Sequence, residues 1–462
     1  MNEERNTRVL IIGAGLTGLT LAYYLKKAGI KTLMVDKSAR TGGVIHTEKD
    51  QAFVYETGPN TGVLSTPDIV ELFEDLNKHV RIELPDPVSK SRWIWKKGRW
   101  NALPSGLMQA VSTPLFSTCD KFRILGEPFR KKGTDPDESV ADLVRRRLGK
   151  SYLQYAVDPF ISGIYAGDPE QLVTRYALPK LYNLEQQYGS FISGAIKKKS
   201  EHKDERDQKA TREIFSSEGG LQSLIDALTT EIGHDNILLN CSEIMIRPEN
   251  EHRWKTILPT PGGPRTIHSN TVVTTVGSYS LPGLLDFISP DLLAPFGKLK
   301  YAGVVQAAVG YNRWNGIRLN AFGGLFPSVE GRNTLGILFP SSIFKGRAPE
   351  NGALLSIFLG GMKNPDIIHK TDQEIVRMIS SEINTTLLLK GDGADMIKIF
   401  RYSNAIPQYE RSTGERLRTI EQIQKLYPGL ILGGNVRDGI GMADRVKQAK
   451  QIAISLKESQ NE

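Results

Sequence analysis

The ten residues VLIIGAGLTG, at 9 to 18, constrain this chain more than any other stretch. Val9 to Ile12 are β-branched or aliphatic and stop abruptly at Gly13, the pattern of a strand buried on both faces of a parallel sheet. Three glycines follow in a G-x-G-x-x-G frame. Gly13 permits a tight turn, Gly15 lets a phosphate approach the backbone, and Gly18 lets the next helix lie close to the strand. Ala14, Leu16 and Thr17 complete the loop. The helix reads from LTGLTLAYYLKKAGI, with apolar residues at helical spacing and a first turn that aims bare N–H groups at an anion. KTLMVD is a second strand that ends on Asp36, 23 positions after Gly13. A dinucleotide fold places its ribose-binding carboxylate there, and Lys37 follows it.

Only a few residues on, RTGG supplies a second glycine loop at Arg40, Gly42 and Gly43. A nicotinamide dehydrogenase does not need it, whereas a flavin protein that lays an extended FAD across its domain often has it. Arg40 is expected to face the diphosphate or the ring side of the cofactor. FVYETGPNTG then reads as a strand and a Gly-Pro turn, which sets Gly58, Pro59, Asn60 and Thr61 where backbone can approach a flat ring.

At 462 residues the chain is long enough for two to three domains. Thr66 to Asn77 and much of 104 to 200 read as helix, and DESVADLVRRRLG has an acidic start and a basic end. The charge run at 197–209 reads as a wet helix end or loop. NILLN, SEIMIR and RWKTILP read as short strands, TIHSNTVVTTVG as a further one, and 300 to 410 as a mixed sheet. The last segment repeats strand, glycine loop and helix. The expected fold is α/β: a discontinuous Rossmann-like FAD-binding domain (1–80, 212–285, 415–462), a mixed-sheet substrate domain (81–103, 286–414) and a helical, membrane-associating insertion (104–211).

A formal charge of +8, from 59 basic and 51 acidic residues, implies a basic surface that suits anionic lipid or an acidic substrate. No nucleic-acid motif stands out, so nucleic acid is not an expected partner. Two cysteines, Cys119 and Cys241, cannot build a disulfide framework, and scattered histidines offer no metal site. MNEERNTR has no apolar signal region, and no apolar run reaches the ~18 residues of a membrane span. A cytoplasmic location is expected. KSRWIWKKGRWNALP joins three tryptophans to cations, a mixture found at membrane interfaces and in amphipathic strand pairs alike.

GAGLTGL, RTGG, ETGPN and the terminal LGGN…GIGMA resemble the flavin amine-oxidase superfamily. DPFISGIYAGDPEQL (158–172), FSSEGGLQSL (215–224), SSIFKGRAP (341–349) and NAIPQY (404–409) narrow the resemblance to oxygen-dependent protoporphyrinogen oxidases, along nearly the whole chain. It implies an FAD enzyme that aromatises a porphyrinogen, removing six electrons and reducing three O2 to hydrogen peroxide. The related coproporphyrinogen III reaction is the closest rival; SGIYAGDP argues against a carotenoid desaturase or an amine oxidase. Rab GDP-dissociation inhibitors share the architecture without flavin chemistry, and the complete glycine fingerprint with Asp36 argues against them.

Carried over by motif, the resemblance puts Gly13, Gly15, Thr17 and Gly18 at the phosphates and Asp36, glutamate in many relatives, at the ribose. It puts Gly43 and Gly58 to Thr61 along the flavin, the backbone of Ile244, in a strand, at the adenine, and Gly434, Ile440, Gly441 and Met442 at the last helix. Asn435, where covalent relatives have a cysteine, implies non-covalent FAD. Gly163, Leu325 and Phe344 would hold the tetrapyrrole plane, and Arg81, or alternatively Arg92, would pair with a propionate. No histidine matches a family base, so no catalytic residue is assigned and turnover is expected to rest on orientation and the flavin's own electronics. Peripheral contact with the inner face of the cytoplasmic membrane and a homodimer complete the expectations.

Overall fold

The computed structural model describes residues 3–200, 204–250, 253–259, 263–390 and 393–459; part of the 197–209 charge run lies outside them. Val9–Ile12 is the middle strand of a five-stranded parallel sheet. Thr32–Val35 and Thr271–Thr274 flank it, with Ile237–Leu238 and Leu430–Leu432 at the edges. Ile12 lies opposite both Val35 and Thr274, Leu238 opposite Val35 and Leu432 opposite Thr274, so all five strands end level at one carboxyl edge. Val9 and Ile11 pack with Leu19, Leu21 and Val446 on one face, and Leu10 and Ile12 with Trp254, Phe296 and Ile420 on the other. An unbroken apolar run is what two covered faces require.

A second, seven-stranded sheet runs in the order Met396–Pro407, Tyr301–Tyr311, Ala353–Gly360, Thr334–Leu338, Gly323–Leu325, Arg92–Lys96, Arg99–Ala102. Its neighbours are antiparallel except Gly323–Leu325 with Arg92–Lys96. The helix Asp372–Thr386, opened by a capping box between Thr371 and Glu374, covers one face through Ile375, Ile379 and Ile383. The tryptophans of KSRWIWKKGRW belong to that core and not to a membrane face. Trp95 is buried, Trp93 and Trp100 are half-buried, and the three rings pack on one another and on Phe326 and Phe339.

The two sheets meet at the hairpin Thr47–Asp50 and Phe53–Glu56, where Gln306 Nε2 donates to the Glu56 carbonyl at 2.8 Å. Ile82–Glu83, expected with the mixed sheet, pairs instead with Ser216–Ser217 of the strand Ile214–Ser217, which also pairs with Gly62–Val63. Glu3–Asn6, which carries no alternating pattern, is a strand paired in parallel with Arg265–Ser269. Ile244 was expected inside a strand, but that strand begins one residue later, at Met245. Among the described residues no helix is long and apolar enough to cross a membrane.

Short helices fill 107–200. Their interior holds a buried ion cluster in which Arg147 reaches Glu127 at 3.0 Å and Glu185 at 2.6 Å, and Arg146 reaches Glu185 at 2.7 Å. The helix Asp158–Tyr165 projects from this unit toward the mixed sheet and stops at Ala166, whose φ of 46° is left-handed.

Candidate functional site

The first glycine loop is built as its spacing requires. Gly13 has a φ of 110°, and a β-carbon on Gly18 would sit 1.9 Å from the Gly13 carbonyl oxygen, so neither position tolerates a side chain. Gly15 differs: a β-carbon there meets nothing within 4 Å, which leaves its surface open to a ligand. It is the N-cap of the helix Leu16–Lys27 and brings no side-chain cap, so the first-turn N–H groups stay available to an anion. Ala14, Leu16, Thr17 and Gly18 are buried or half-buried around this turn. Asp36, at the end of the neighbouring strand, accepts Ala14 N at 2.6 Å and Ser38 N at 2.7 Å. Its carboxylate braces the loop, and Lys37 beside it is exposed.

The second glycine loop closes over the first. Gly15 and Gly42 form a parallel bridge, Gly42 N donates to the Ala14 carbonyl at 2.8 Å, and a β-carbon on Gly43 would lie 3.4 Å from the Gly15 Cα. Arg40 clips this loop, donating to the carbonyls of Thr41, Gly43 and Ile45 at 2.9–3.1 Å, which commits Nη1 and Nη2 to the protein. Gly58 packs on the same segment, since a β-carbon there would meet the Val44 carbonyl oxygen at 2.0 Å. Asn60 Nδ2 donates to the Gly58 carbonyl at 3.2 Å and holds the turn through Pro59 and Thr61. These glycine cradles fit an extended dinucleotide, and Gly13–Gly18 and residues 43–61 are the segments that would hold it. Ile244 packs in the cluster that holds Ile12 and Val35, just after Cys241, whose N–H donates to the Asp36 carbonyl at 2.9 Å.

The third wall is the loop between Leu430–Leu432 and the helix Met442–Glu458. Gly434, with a φ of 84°, sits against Thr275, whose Oγ1 also donates to the Gly13 carbonyl at 3.2 Å. The loop thus starts beside the phosphate turn and ends at Ile440, Gly441 and Met442, where Gly441 caps the helix and its N–H donates to Asp444 at 3.1 Å. Tyr409, from NAIPQY, is buried beneath it, and burial pushes its hydroxyl up to about 12. Burial also lowers the pKa values of the Arg416 and Arg445 guanidiniums.

On the substrate side, the helix Asp158–Tyr165 meets the mixed sheet at Gly163, where a β-carbon would lie 2.5 Å from Leu325 Cδ2. Leu325 lies opposite Ile94, and Arg92, two residues earlier on that strand, shares its face. The Arg92 guanidinium is 5.7 Å from the Phe322 ring centre. Gly163, Leu325 and Arg92 therefore come together. Arg81 does not join them; it lies beside the small sheet, its carbonyl accepting Glu218 N at 3.1 Å. Phe344 is buried with its ring 5.3 Å from the Arg347 guanidinium, and no described contact ties it to the Gly163–Leu325 pair. The structure adds Phe160 and Ile164, 43% and 46% exposed on the same helix as Gly163. Their i, i+3, i+4 spacing with Gly163 was a readable signal of a shared face. His46 is engaged with Gln222 at 3.0 Å.

The family model described as flavin containing amine oxidoreductase matches residues 16–446. The mitochondrial protoporphyrinogen oxidase of Nicotiana tabacum is 29% identical over 98% of this chain and 95% of its own length. The coproporphyrinogen III oxidase of Bacillus subtilis is 24% identical, covering 97% of each. Among solved structures, a protein from Exiguobacterium sp. 255-15 provisionally named a protoporphyrinogen oxidase superposes with a TM-score of 0.81 at 21% identity, over 98% of this chain and 99% of its own.

Proposed function

The chain belongs to the flavin containing amine oxidoreductase family, and from that premise we propose that it oxidises protoporphyrinogen IX to protoporphyrin IX with molecular oxygen as acceptor. The observation that carries this is the position of the apolar Gly163–Leu325 contact, with Arg92 on the same sheet face, in a chain whose relatives over nearly full length include protoporphyrinogen oxidases. Bound non-covalently, FAD supplies the hydride acceptor and the route of electrons to oxygen. The cradles at Gly13–Gly18, Gly42–Gly43, Gly58–Thr61 and Gly434–Met442 are the residues that would hold it.

The chain's own part is orientation. Phe160, Gly163, Ile164 and Leu325 offer an apolar face to a tetrapyrrole plane, and Gly163 keeps that face low enough for a broad ring to approach. Arg92 offers a guanidinium fork to a propionate, which fixes the ring's rotation in its plane. Holding a meso carbon at the flavin in a fixed pose is worth several orders of magnitude in rate without a general base.

The Bacillus subtilis relative supports a second reading, oxidation of coproporphyrinogen III. A face with Arg92 as its cation among apolar residues fits a porphyrinogen with two carboxylates better than one with four. Aerobic turnover of both substrates, with porphyrin fluorescence and peroxide counted together, tests the choice: three peroxides per porphyrin and a higher kcat/KM for protoporphyrinogen are expected.

The protein works in the cytoplasm, at the inner face of the membrane. Met108 and Phe129 are 87% and 89% exposed, and Val111, Phe122 and Leu125 stand out of the same segment of three short helices. Lys121, Arg123, Arg130, Lys131 and Lys132 are interspersed with them along the chain, a pattern suited to headgroup depth.

A further inference from the structure

The loop from Gly434 to Gly439 has six consecutive carbonyls, and every one lies within 3.3 Å of a side-chain donor, two of them sharing the one Tyr409 proton. Gln448 Nε2 reaches the Gly434 oxygen at 3.3 Å, and the Tyr409 hydroxyl reaches those of Asn435 and Gly439 at 3.0 and 2.9 Å. Arg416 Nε reaches Val436 at 3.1 Å, and Arg445 Nη2 reaches Arg437 at 2.9 Å and Asp438 at 2.7 Å. Four side chains from three separate segments therefore turn all six carbonyls toward the protein. The N–H groups of Asp438 and Ile440, both on residues that keep some exposure, have no acceptor among the described residues and are free to serve a ligand.

Two of the four clasping groups are cations in an expensive place. Arg416 is 0% exposed and Arg445 7%, and neither makes an ion pair among the described residues. Each retains a buried nitrogen without a hydrogen-bond partner, Nη1 of Arg416 and Nε of Arg445. The nearby carboxylates have other tasks: Asp438 accepts from Arg437 and Gln448 at 2.8 Å each, and Asp444 caps Gly441 at 3.1 Å. Buried guanidiniums that meet carbonyl dipoles instead of a carboxylate leave net positive potential at the loop they hold.

We propose that Tyr409, Arg416, Arg445 and Gln448 are positioning residues for the flavin, which fix the Asp438 and Ile440 N–H groups toward FAD and favour its negatively charged reduced form. The proposal rests on the flavoenzyme reading and adds the residues that set the cofactor's affinity and potential. The loop reaches from the glycine turn at Gly13, through the shared neighbour Thr275, to the start of the helix Met442–Glu458, so FAD held at those two ends would lie along it. Positive potential along that path stabilises reduced over oxidised flavin and raises its midpoint potential.

The test is an FAD binding titration and an anaerobic potentiometric titration on purified holoenzyme for wild type, Arg416→Met, Arg445→Met, Arg445→Lys and Tyr409→Phe. Both methionine variants are expected to hold FAD at least tenfold more weakly and to shift the midpoint to more negative potential. Arg445→Lys should restore the potential but not the full affinity, because the charge returns without the two-carbonyl fork. Tyr409→Phe, the mildest change, should weaken FAD binding without moving the potential. Potentials that overlay wild type in both methionine variants, or in the one that folds, would overturn the proposal. Wild-type protein that binds no FAD would instead overturn the functional reading.

Discussion

Gly163 and Leu325 touch across the boundary between the helical segment and the mixed sheet, leaving no room for a β-carbon at 163. The obstructing atom is the far end of a flexible leucine, so Gly163→Ala should fold with a stability loss under ~1.5 kcal/mol while tilting Leu325 into the substrate face. A rise in KM of about tenfold is expected, with FAD content unchanged; steady-state kinetics and the flavin spectrum report both.

Arg92 and Arg81 make opposite predictions. Arg92→Met should raise KM for a propionate-bearing porphyrinogen by about 10- to 100-fold, the loss of a charge-assisted hydrogen bond of ~1.5–3 kcal/mol. Arg81→Met should stay within about twofold of wild type, because Arg81 sits beside the small sheet and away from the Gly163–Leu325 face. Equal effects of the two substitutions would contradict the placement of the propionate.

The hairpin that joins the sheets holds a titratable group. Burial raises the Glu56 carboxyl to about 7, against the opposing pull of the Leu221 N–H at 3.0 Å, the Thr47 hydroxyl at 2.7 Å and Arg347 at 3.7 Å. Glu83 shares the same guanidinium at 3.0 Å, and burial raises it too. Because the native state binds this proton more tightly than the unfolded chain, stability should fall as pH rises through 4.5 to 7. The contribution is of order ~3 kcal/mol. Glu56→Gln should flatten that slope in urea melts from pH 5 to 8 and be at least as stable as wild type at pH 8.

The helical segment depends on one buried cation. Arg147 is fully buried between Glu127 and Glu185, so Arg147→Met leaves Glu127 without an ion pair among the described residues and Glu185 with Arg146 alone. A loss of ~3–5 kcal/mol is expected, read from chemical denaturation. Replacing Phe122 and Phe129 by serine should leave those melts unchanged while weakening binding to vesicles of anionic lipid, since both rings are exposed.

The cofactor half of the molecule was legible because its determinants are local. A strand, three glycines, a helix and Asp36 lie within 28 residues, and each has one structural solution. The edge strand Glu3–Asn6 was not legible, since EERN has no periodicity and its pairing with Arg265–Ser269 is purely tertiary. Ile244 lay one residue outside its strand, the ordinary uncertainty of an element boundary. The tryptophans of KSRWIWKKGRW were ambiguous because an interface mixture and an amphipathic sheet edge share a composition, and only the partners Phe326 and Phe339 decide between them. Arg416 and Arg445 sit on helices among other charged residues, and no spacing rule distinguishes a buried guanidinium from a solvated one.

The most direct test of the central claim is anaerobic mixing of FAD-loaded protein with protoporphyrinogen IX and, separately, with coproporphyrinogen III, following loss of flavin absorbance and then porphyrin fluorescence once oxygen is admitted. Faster flavin bleaching by protoporphyrinogen IX, followed by porphyrin emission, is the predicted result. Bleaching by neither substrate in protein that retains its FAD would contradict the proposed activity, and a strong preference for coproporphyrinogen III would contradict the substrate assignment.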